Sequence, residues 1–216
     1  MARIVFDLDG TLINSAPEIQ FVANSLLADR GLEPLSLQET IGFIGNGAAV
    51  LIEKMSLARG IDPSEHATLL ATLEERYMHS SDKSEVYPNV VAALDSLRGA
   101  GHRLGVCTNK PLAPAKAVLA HLDLAKHFDV VLGGDSLPQR KPDPAPLHAT
   151  FDALGDGPVI YVGDSDVDAE TAHRAGVPFL LFTEGYCKVP HAELPHHALF
   201  DDFARLPELV QALVSA

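Results

Sequence analysis

The chain contains no tryptophan, and its aromatic share is only 6%. A core must therefore be built mainly from Val, Leu, Ile and Ala. The 47% hydrophobic share of 216 residues suffices for one full core with room for a smaller second one. Cysteine is equally scarce. Cys107 and Cys187 form no CxxC pair, and Cys107 falls in an apolar run expected to be buried. That usage fits a reduced, cytoplasmic setting, with a single disulfide left open. Basic residues number 16 against 29 acidic ones, for a formal net charge of −13. Such a balance argues against nucleic acid and anionic membrane as partners, and it poses a problem if the ligand is an anion. No apolar stretch reaches membrane-spanning length, and no charged-then-apolar leader precedes the first strand. The expectation is a soluble cytoplasmic protein.

What is present is concentrated at the start. The apolar run Ile4-Val5-Phe6 ends in Asp7-Leu8-Asp9-Gly10-Thr11-Leu12. Carboxylates are rarely buried unless paired or bound to a metal, so two of them at a strand end serve stability poorly. The placement predicts a site in which one Asp acts on a ligand and a cation holds the cluster together.

Hydrophobic periodicity predicts strands over 3–8, 103–107, 129–132, 159–162 and 179–182. Most are short continuous apolar runs, as expected for parallel strands covered on both faces. Helical spacing marks 90–100, 113–122, 145–154 and 168–175, with Gly101, Gly155 and Gly176 as C-terminal stops. The alternation predicts an α/β fold with a doubly wound parallel sheet. One connection is too long for a simple crossover, since roughly seventy residues separate Leu12 from the next sheet-like stretch. They read as helices over 16–30, 48–59 and 64–78. The expected organisation is an α/β core of residues 1–14 and 86–216 with an inserted helical cap at 15–85. Hinges are expected near 14–15 and 84–87, which places the cap above Asp7 and Asp9.

The other strand ends carry Thr108-Asn109-Lys110, Arg140-Lys141-Pro142 and Gly163-Asp164-Ser165-Asp166-Val167-Asp168. Taken singly, each has an ordinary explanation: a capped turn, a solvated lysine, an Asp-rich helix start. Taken together, all fall just after a strand, where open α/β sheets bind ligands.

In this combination the segments resemble the four signatures of the haloacid dehalogenase-like hydrolases. These are Asp7-Leu8-Asp9-Gly10-Thr11, Thr108-Asn109, Lys141-Pro142 and Gly163-Asp164-Ser165-x-x-Asp168. The match runs in order over nearly the whole chain, and the helical insertion resembles the cap of that superfamily's phosphatase branch. Gly45-Asn46-Gly47-Ala48, the prolines after Lys141 and Thr183-x-Gly185-Tyr186 resemble the bacterial phosphoglycolate phosphatases, though related sugar-phosphate phosphatases share parts of them.

The resemblance implies a phosphomonoester hydrolase working through an aspartyl-phosphate, a route that divides a very slow reaction. Asp7 would be the nucleophile. Asp9 would protonate the leaving group and later take a proton from water. Mg²⁺ would be held by Asp7, Asp164 and the Asp9 backbone carbonyl, with Asp168 and Ser165 behind them. Thr108, Asn109 and Lys141 would hold the phosphoryl oxygens. Together the dication and Lys141 would offset the negative net charge locally.

The implied partner is a small phosphorylated metabolite, 2-phosphoglycolate first, bound by a monomer or homodimer. A mutase or phosphatase for another sugar phosphate, or a non-catalytic phosphate-binding module, remains as an alternative. Asp9 itself separates the chain from the dehalogenase branch, whose leaving group needs no proton. Lys54 lies within a helix and reads as a solvated charge, not a phosphonate-cleaving lysine. Gly45, Asn46 and Gly47 either face a substrate anion at a helix N-terminus or form a plain interhelical turn. His191, His196 and His197 read as a solvated loop.

Overall fold

The computed structural model describes residues 1–78, 80 and 82–215. Positions 79 and 81 of the expected cap and position 216 of the expected core lie outside the described residues. Strand β1 (Arg3–Phe6) leads through a tight turn to β2 (Ile13–Asn14). Four helices follow: α1 (Ala16–Ala28), α2 (Leu37–Phe43), α3 (Ala48–Arg59) and α4 (His66–Tyr77). Then come β3 (Glu85–Val86), α5 (Val90–Gly99), β4 (Arg103–Cys107), α6 (Leu112–His121) and β5 (Val130–Leu132). The chain continues with α7 (Ala145–Ala153), β6 (Val159–Gly163), α8 (Asp166–Ala175), β7 (Phe179–Phe182), β8 (Ala198–Phe200) and α9 (Leu206–Ser215).

Six strands form one parallel sheet in the order β5-β4-β1-β6-β7-β8. From β1 the chain moves out to β4, and from β6 it moves the opposite way to β7. The sheet therefore opens a crevice at the carboxyl ends of β1 and β6, the place where such sheets bind ligands. Strand residues alternate between two apolar layers. Ile4, Phe6, Leu104, Val106, Ile160 and Val162 pack with residues of α5, α6 and α9. Val5, Tyr161, Phe179 and Leu181 pack on the other face with residues of α7 and α8. Burial on both faces explains why the strands read as continuous apolar runs.

Helices α1–α4 pack around an apolar cluster of their own, which includes Ile19, Leu26, Leu51, Met55, Leu69 and Leu73. The two chain segments that join this cluster to the sheet lie side by side. β2 and β3 pair antiparallel, Ile13 with Val86 and Asn14 with Glu85.

Several boundaries differ from the sequence reading. β1 ends at Phe6, two residues early, because the Leu8 carbonyl turns to accept the amides of Thr11, Leu12 and Ile13. α8 begins at Asp166, capped by Ser165. α2, β8 and α9 lie outside the elements that hydrophobic periodicity predicts. α2 spans seven residues and is fixed by a capping box between Ser36 and Glu39. β8 is a three-residue parallel edge on β7. α9 carries Pro207 in its first turn, where no intrahelical donor is needed. Among the described residues no helix is long and apolar enough to cross a membrane.

Candidate active site

Asp7 follows β1, and its amide donates to Val162 O (2.9 Å), which ties it to the end of β6. Asp164, just beyond β6, accepts from Thr11 Oγ1 (2.6 Å) on one oxygen and from the Tyr186 amide (2.7 Å) on the other. Glycines admit this closeness. A Cβ on Gly10 would lie 2.5 Å from Asp164 Oδ2, and one on Gly185 would lie 2.3 Å from it. Gly10 also holds φ +91°, a region glycine alone enters without strain.

Asp168 sits in the first turn of α8. Its Oδ2 accepts from the Ser165 hydroxyl (2.6 Å) and amide (3.2 Å), while Ser165 Oγ accepts from the Asp168 amide. Its Oδ1 accepts from Lys141 Nζ (2.7 Å) and Tyr161 OH (2.7 Å). The ordinary explanation of this segment, a helix cap, and the chemical one are thus met by the same two residues. One carboxylate oxygen caps the helix and the other fixes the lysine.

Lys141 is buried and shared. Nζ also lies 2.9 Å from Tyr161 OH and 2.9 Å from Asp7 Oδ1. The Asp7 contact is an ion pair without hydrogen-bond alignment, and Asp7 Oδ1 has no hydrogen-bond partner among the described residues. Asp168 wins the competition. Despite burial, Lys141 and the Ser165 and Tyr161 hydrogen bonds hold its carboxyl below the usual range. Asp7 loses it. Burial, then the Asp168 charge, push its carboxyl up to about 7 against the pull of Lys141. Asp164 is raised for the same reasons, burial first and then Asp168 and Asp7. Burial lowers Lys141, but the two carboxylates outweigh it and keep the ammonium charged.

Asp7, Asp164 and Asp168 bring carboxylate oxygens within 4.8 Å of one another around a single buried ammonium. Three acids and one base leave an excess of negative charge in a desolvated place, and one acid oxygen, Asp7 Oδ1, accepts no hydrogen bond among the described residues. This donor set fits a hard divalent cation with oxygen ligands. Asp168 accepts at least two hydrogen bonds on each oxygen, whereas Asp164 accepts one on each and Asp7 Oδ1 accepts none among the described residues, so Asp7 and Asp164 are the freer donors. The Asp9 side chain is not part of this group. It pairs with Lys110 Nζ at 3.2 and 3.4 Å.

Asp7, Asp9 and Lys110 border a small cavity of about 50 Å³. Asp7, Asp9, Thr108, Asn109 and Lys110 line the sheet side, and Ile19, Ile44, Leu51 and Tyr77 the helical side. Thr108 Oγ1 accepts from the Lys110 amide (3.2 Å). Asn109 Nδ2 donates to Lys141 O (2.9 Å) and to Gly45 O (3.0 Å), so it fastens the turn before α3 to the sheet. Lys188 Nζ donates to Ile44 O on the same turn. Gly45 and Gly47 line the cavity, whereas Asn46 is not among its lining residues.

Two site residues escaped the sequence reading. Tyr161 stands in an apolar strand, and its signal was the polar tip that a buried tyrosine must satisfy. Lys110 was noted as a hydrogen-bonding group without its partner Asp9, which is far away in the chain. Of the other candidates, Lys54 donates to Gly42 O at the surface (3.2 Å). The His197 ring accepts the Phe179 amide. Both cysteines are free thiols, and burial pushes Cys107 up to about 12.

Residues 4–182 match the family model of the haloacid dehalogenase-like hydrolases, and the chain belongs to that family as a phosphoric monoester hydrolase. It is 50% identical, over the full length of both chains, to a phosphoglycolate phosphatase of Cereibacter sphaeroides (strain ATCC 17029 / ATH 2.4.9). It is 43% identical to a phosphoglycolate phosphatase of Rhodobacter capsulatus, with 96% of each chain covered. Among solved structures, a predicted phosphoglycolate phosphatase from Haemophilus somnus 129PT superposes with a TM-score of 0.88 at 34% identity. That alignment covers 96% of this chain and 97% of the other.

Proposed function

We propose that the protein hydrolyses 2-phosphoglycolate to glycolate and phosphate, with Asp7 as nucleophile. The observation that carries this reading is the buried Asp7 Oδ1, which accepts no hydrogen bond among the described residues and is met only by the Lys141 ion pair, in a cluster with Asp164 and Asp168. The full-length relatives named phosphoglycolate phosphatase support the substrate. Asp7 and Asp164, with the Asp9 carbonyl, are the residues to hold Mg²⁺, which when bound supplies positive charge to the cluster and to phosphoryl oxygens.

Asp7 attacks phosphorus, the P–O bond to glycolate breaks, and Asp9 gives its proton to the departing oxygen. Water then attacks the aspartyl-phosphate, and Asp9 takes the proton that this water loses. Lys141, the Thr108 hydroxyl and the Asn109 amide bind the phosphoryl oxygens. Asp168, Tyr161 and Ser165 keep Lys141 in position and charged. Helices α1–α4 act as the cap, and their walls exclude water. Those walls are largely apolar, which suits a two-carbon substrate better than a hexose with many hydroxyls to satisfy.

Phosphate release from 2-phosphoglycolate, hexose phosphates, nucleotides and pyrophosphate tests the reading. The expected result is a clear preference for 2-phosphoglycolate and loss of activity in excess EDTA. Asp7→Asn should reduce turnover by at least about a thousandfold while the circular dichroism spectrum is kept. Full activity in EDTA, or a preference for a hexose phosphate, would overturn it.

A further inference from the structure

We propose that Lys110 is the residue that recognises the substrate's carboxylate, so that it sets specificity for phosphomonoesters bearing a second anionic group. This rests on the hydrolase reading above. Lys110 supplies the one ammonium among the residues that line the cavity; the other charged lining groups are Asp7 and Asp9, and the cap side offers Ile19, Ile44 and Leu51. A carboxylate placed there without a cation would face two acids across apolar walls, a strongly unfavourable arrangement. The other nearby cation of the phosphoryl site is committed, since Lys141 Nζ is held by Asp7, Asp168 and Tyr161. Lys188 donates to Ile44 O and lies near Gly45, and Arg140 lies near Gly47, but neither lines the cavity.

Position supports the same assignment. Lys110 Nζ lies 3.2 and 3.4 Å from the two oxygens of Asp9, the group that must reach the ester oxygen of the leaving group. In 2-phosphoglycolate the carboxylate is one methylene away from that oxygen. An acid that touches the ester oxygen therefore has the carboxylate beside it, within reach of the same ammonium. An ammonium has three donors, and Asp9 takes one face of it. The side chain is only 10% exposed, and its Nζ sits 4.9 Å from the centre of the Tyr77 ring, which holds it in the cavity wall. The turn at Gly45 and Gly47 keeps a lesser part in this assignment. Its amides at the start of α3 lie along the same wall and add a favourable field for an anion.

The test compares 2-phosphoglycolate with 2-hydroxyethyl phosphate, which keeps the ester and chain length and replaces the carboxylate by an alcohol. Wild-type enzyme should prefer 2-phosphoglycolate. Lys110→Met should lower kcat/KM for 2-phosphoglycolate by about a hundredfold, mostly through KM, and for 2-hydroxyethyl phosphate by less than about tenfold. Lys110→Arg should restore part of the preference. In an Asp7→Asn background, calorimetric affinity for 2-phosphoglycolate should fall with Lys110→Met far more than affinity for 2-hydroxyethyl phosphate. Equal losses on both compounds would overturn the proposal and assign Lys110 to Asp9 or to folding, as would an unchanged preference. Wild-type enzyme that hydrolyses 2-hydroxyethyl phosphate but ignores 2-phosphoglycolate would instead overturn the substrate reading itself.

Discussion

A single buried lysine among three carboxylates sets one acid apart from the other two. Asp168 keeps the lysine and stays ionised, whereas Asp7, raised to about 7 from an ordinary 3.8, is more easily protonated in the folded chain than in the unfolded one. Asp164 shifts in the same direction as Asp7. A raised acid stabilises the fold fully at pH values below its unfolded pKa. That contribution fades as pH rises through the folded value. In EDTA, the thermal midpoint should therefore fall between about pH 5 and pH 8 as Asp7 ionises, and Mg²⁺ should raise it more at pH 8 than at pH 5. A flat midpoint in EDTA, or equal Mg²⁺ stabilisation at both pH values, would contradict this account. The acids themselves were legible in the sequence because carboxylates at strand ends stand out against apolar runs. Tyr161 and the Lys110–Asp9 pair were not, because each depends on a partner that only the sheet order brings close.

Among the elements, the short segment after β7 links more parts of the site than its length suggests. The Tyr186 amide donates to Asp164, and its hydroxyl accepts the Ala16 amide at the start of α1 (2.8 Å) and donates to Asn14 in β2 (2.8 Å). Tyr87, just after β3, donates to Glu184 O. One loop thus holds an acid of the cluster and both connections to the helical unit. Tyr186→Phe keeps the backbone contact to Asp164 and removes the hydroxyl bonds. It should cost about 1–2 kcal/mol of stability and speed amide hydrogen exchange at residues 13–17, with a severalfold loss in kcat/KM. Unchanged exchange there would show that the hydroxyl does not restrain the connection. The sequence reading singled out Thr183-x-Gly185-Tyr186 by resemblance alone. Its physical reason is the 2.3 Å that separates a Cβ on Gly185 from Asp164. Short elements fared worse: α2 and β8 are too brief to build a period, and both are stabilised by contacts distant in the chain or by a cap.

At the scale of the molecule, a net charge of −13 surrounds the cavity proposed to take an anionic ester. Lys110 and Lys141 act over a few ångströms, but the long-range field repels an approaching phosphate ester. Added salt screens that repulsion. Raising KCl from about 10 to about 150 mM at fixed free Mg²⁺ should therefore increase kcat/KM for 2-phosphoglycolate, the reverse of electrostatic attraction. A steady decrease over that range would place the controlling charge at the cavity and not over the surface. The doubly wound sheet was legible because its strands are buried on both faces, and so was the helical insertion, whose length no crossover requires.

The pairing of β2 with β3 also bears on how the chain finds this sheet. Arg3 must meet Arg103, with the whole helical unit strung between them. If α1–α4 collapse first on their own apolar cluster, the two ends of that unit emerge adjacent, and the loop left to close shrinks from about 100 residues to about 30. By loop-closure entropy this makes β1–β4 pairing easier by about 1 kcal/mol. The insertion then acts as a folding shortcut: an early-ordered excursion that shortens the search for the central strand pair.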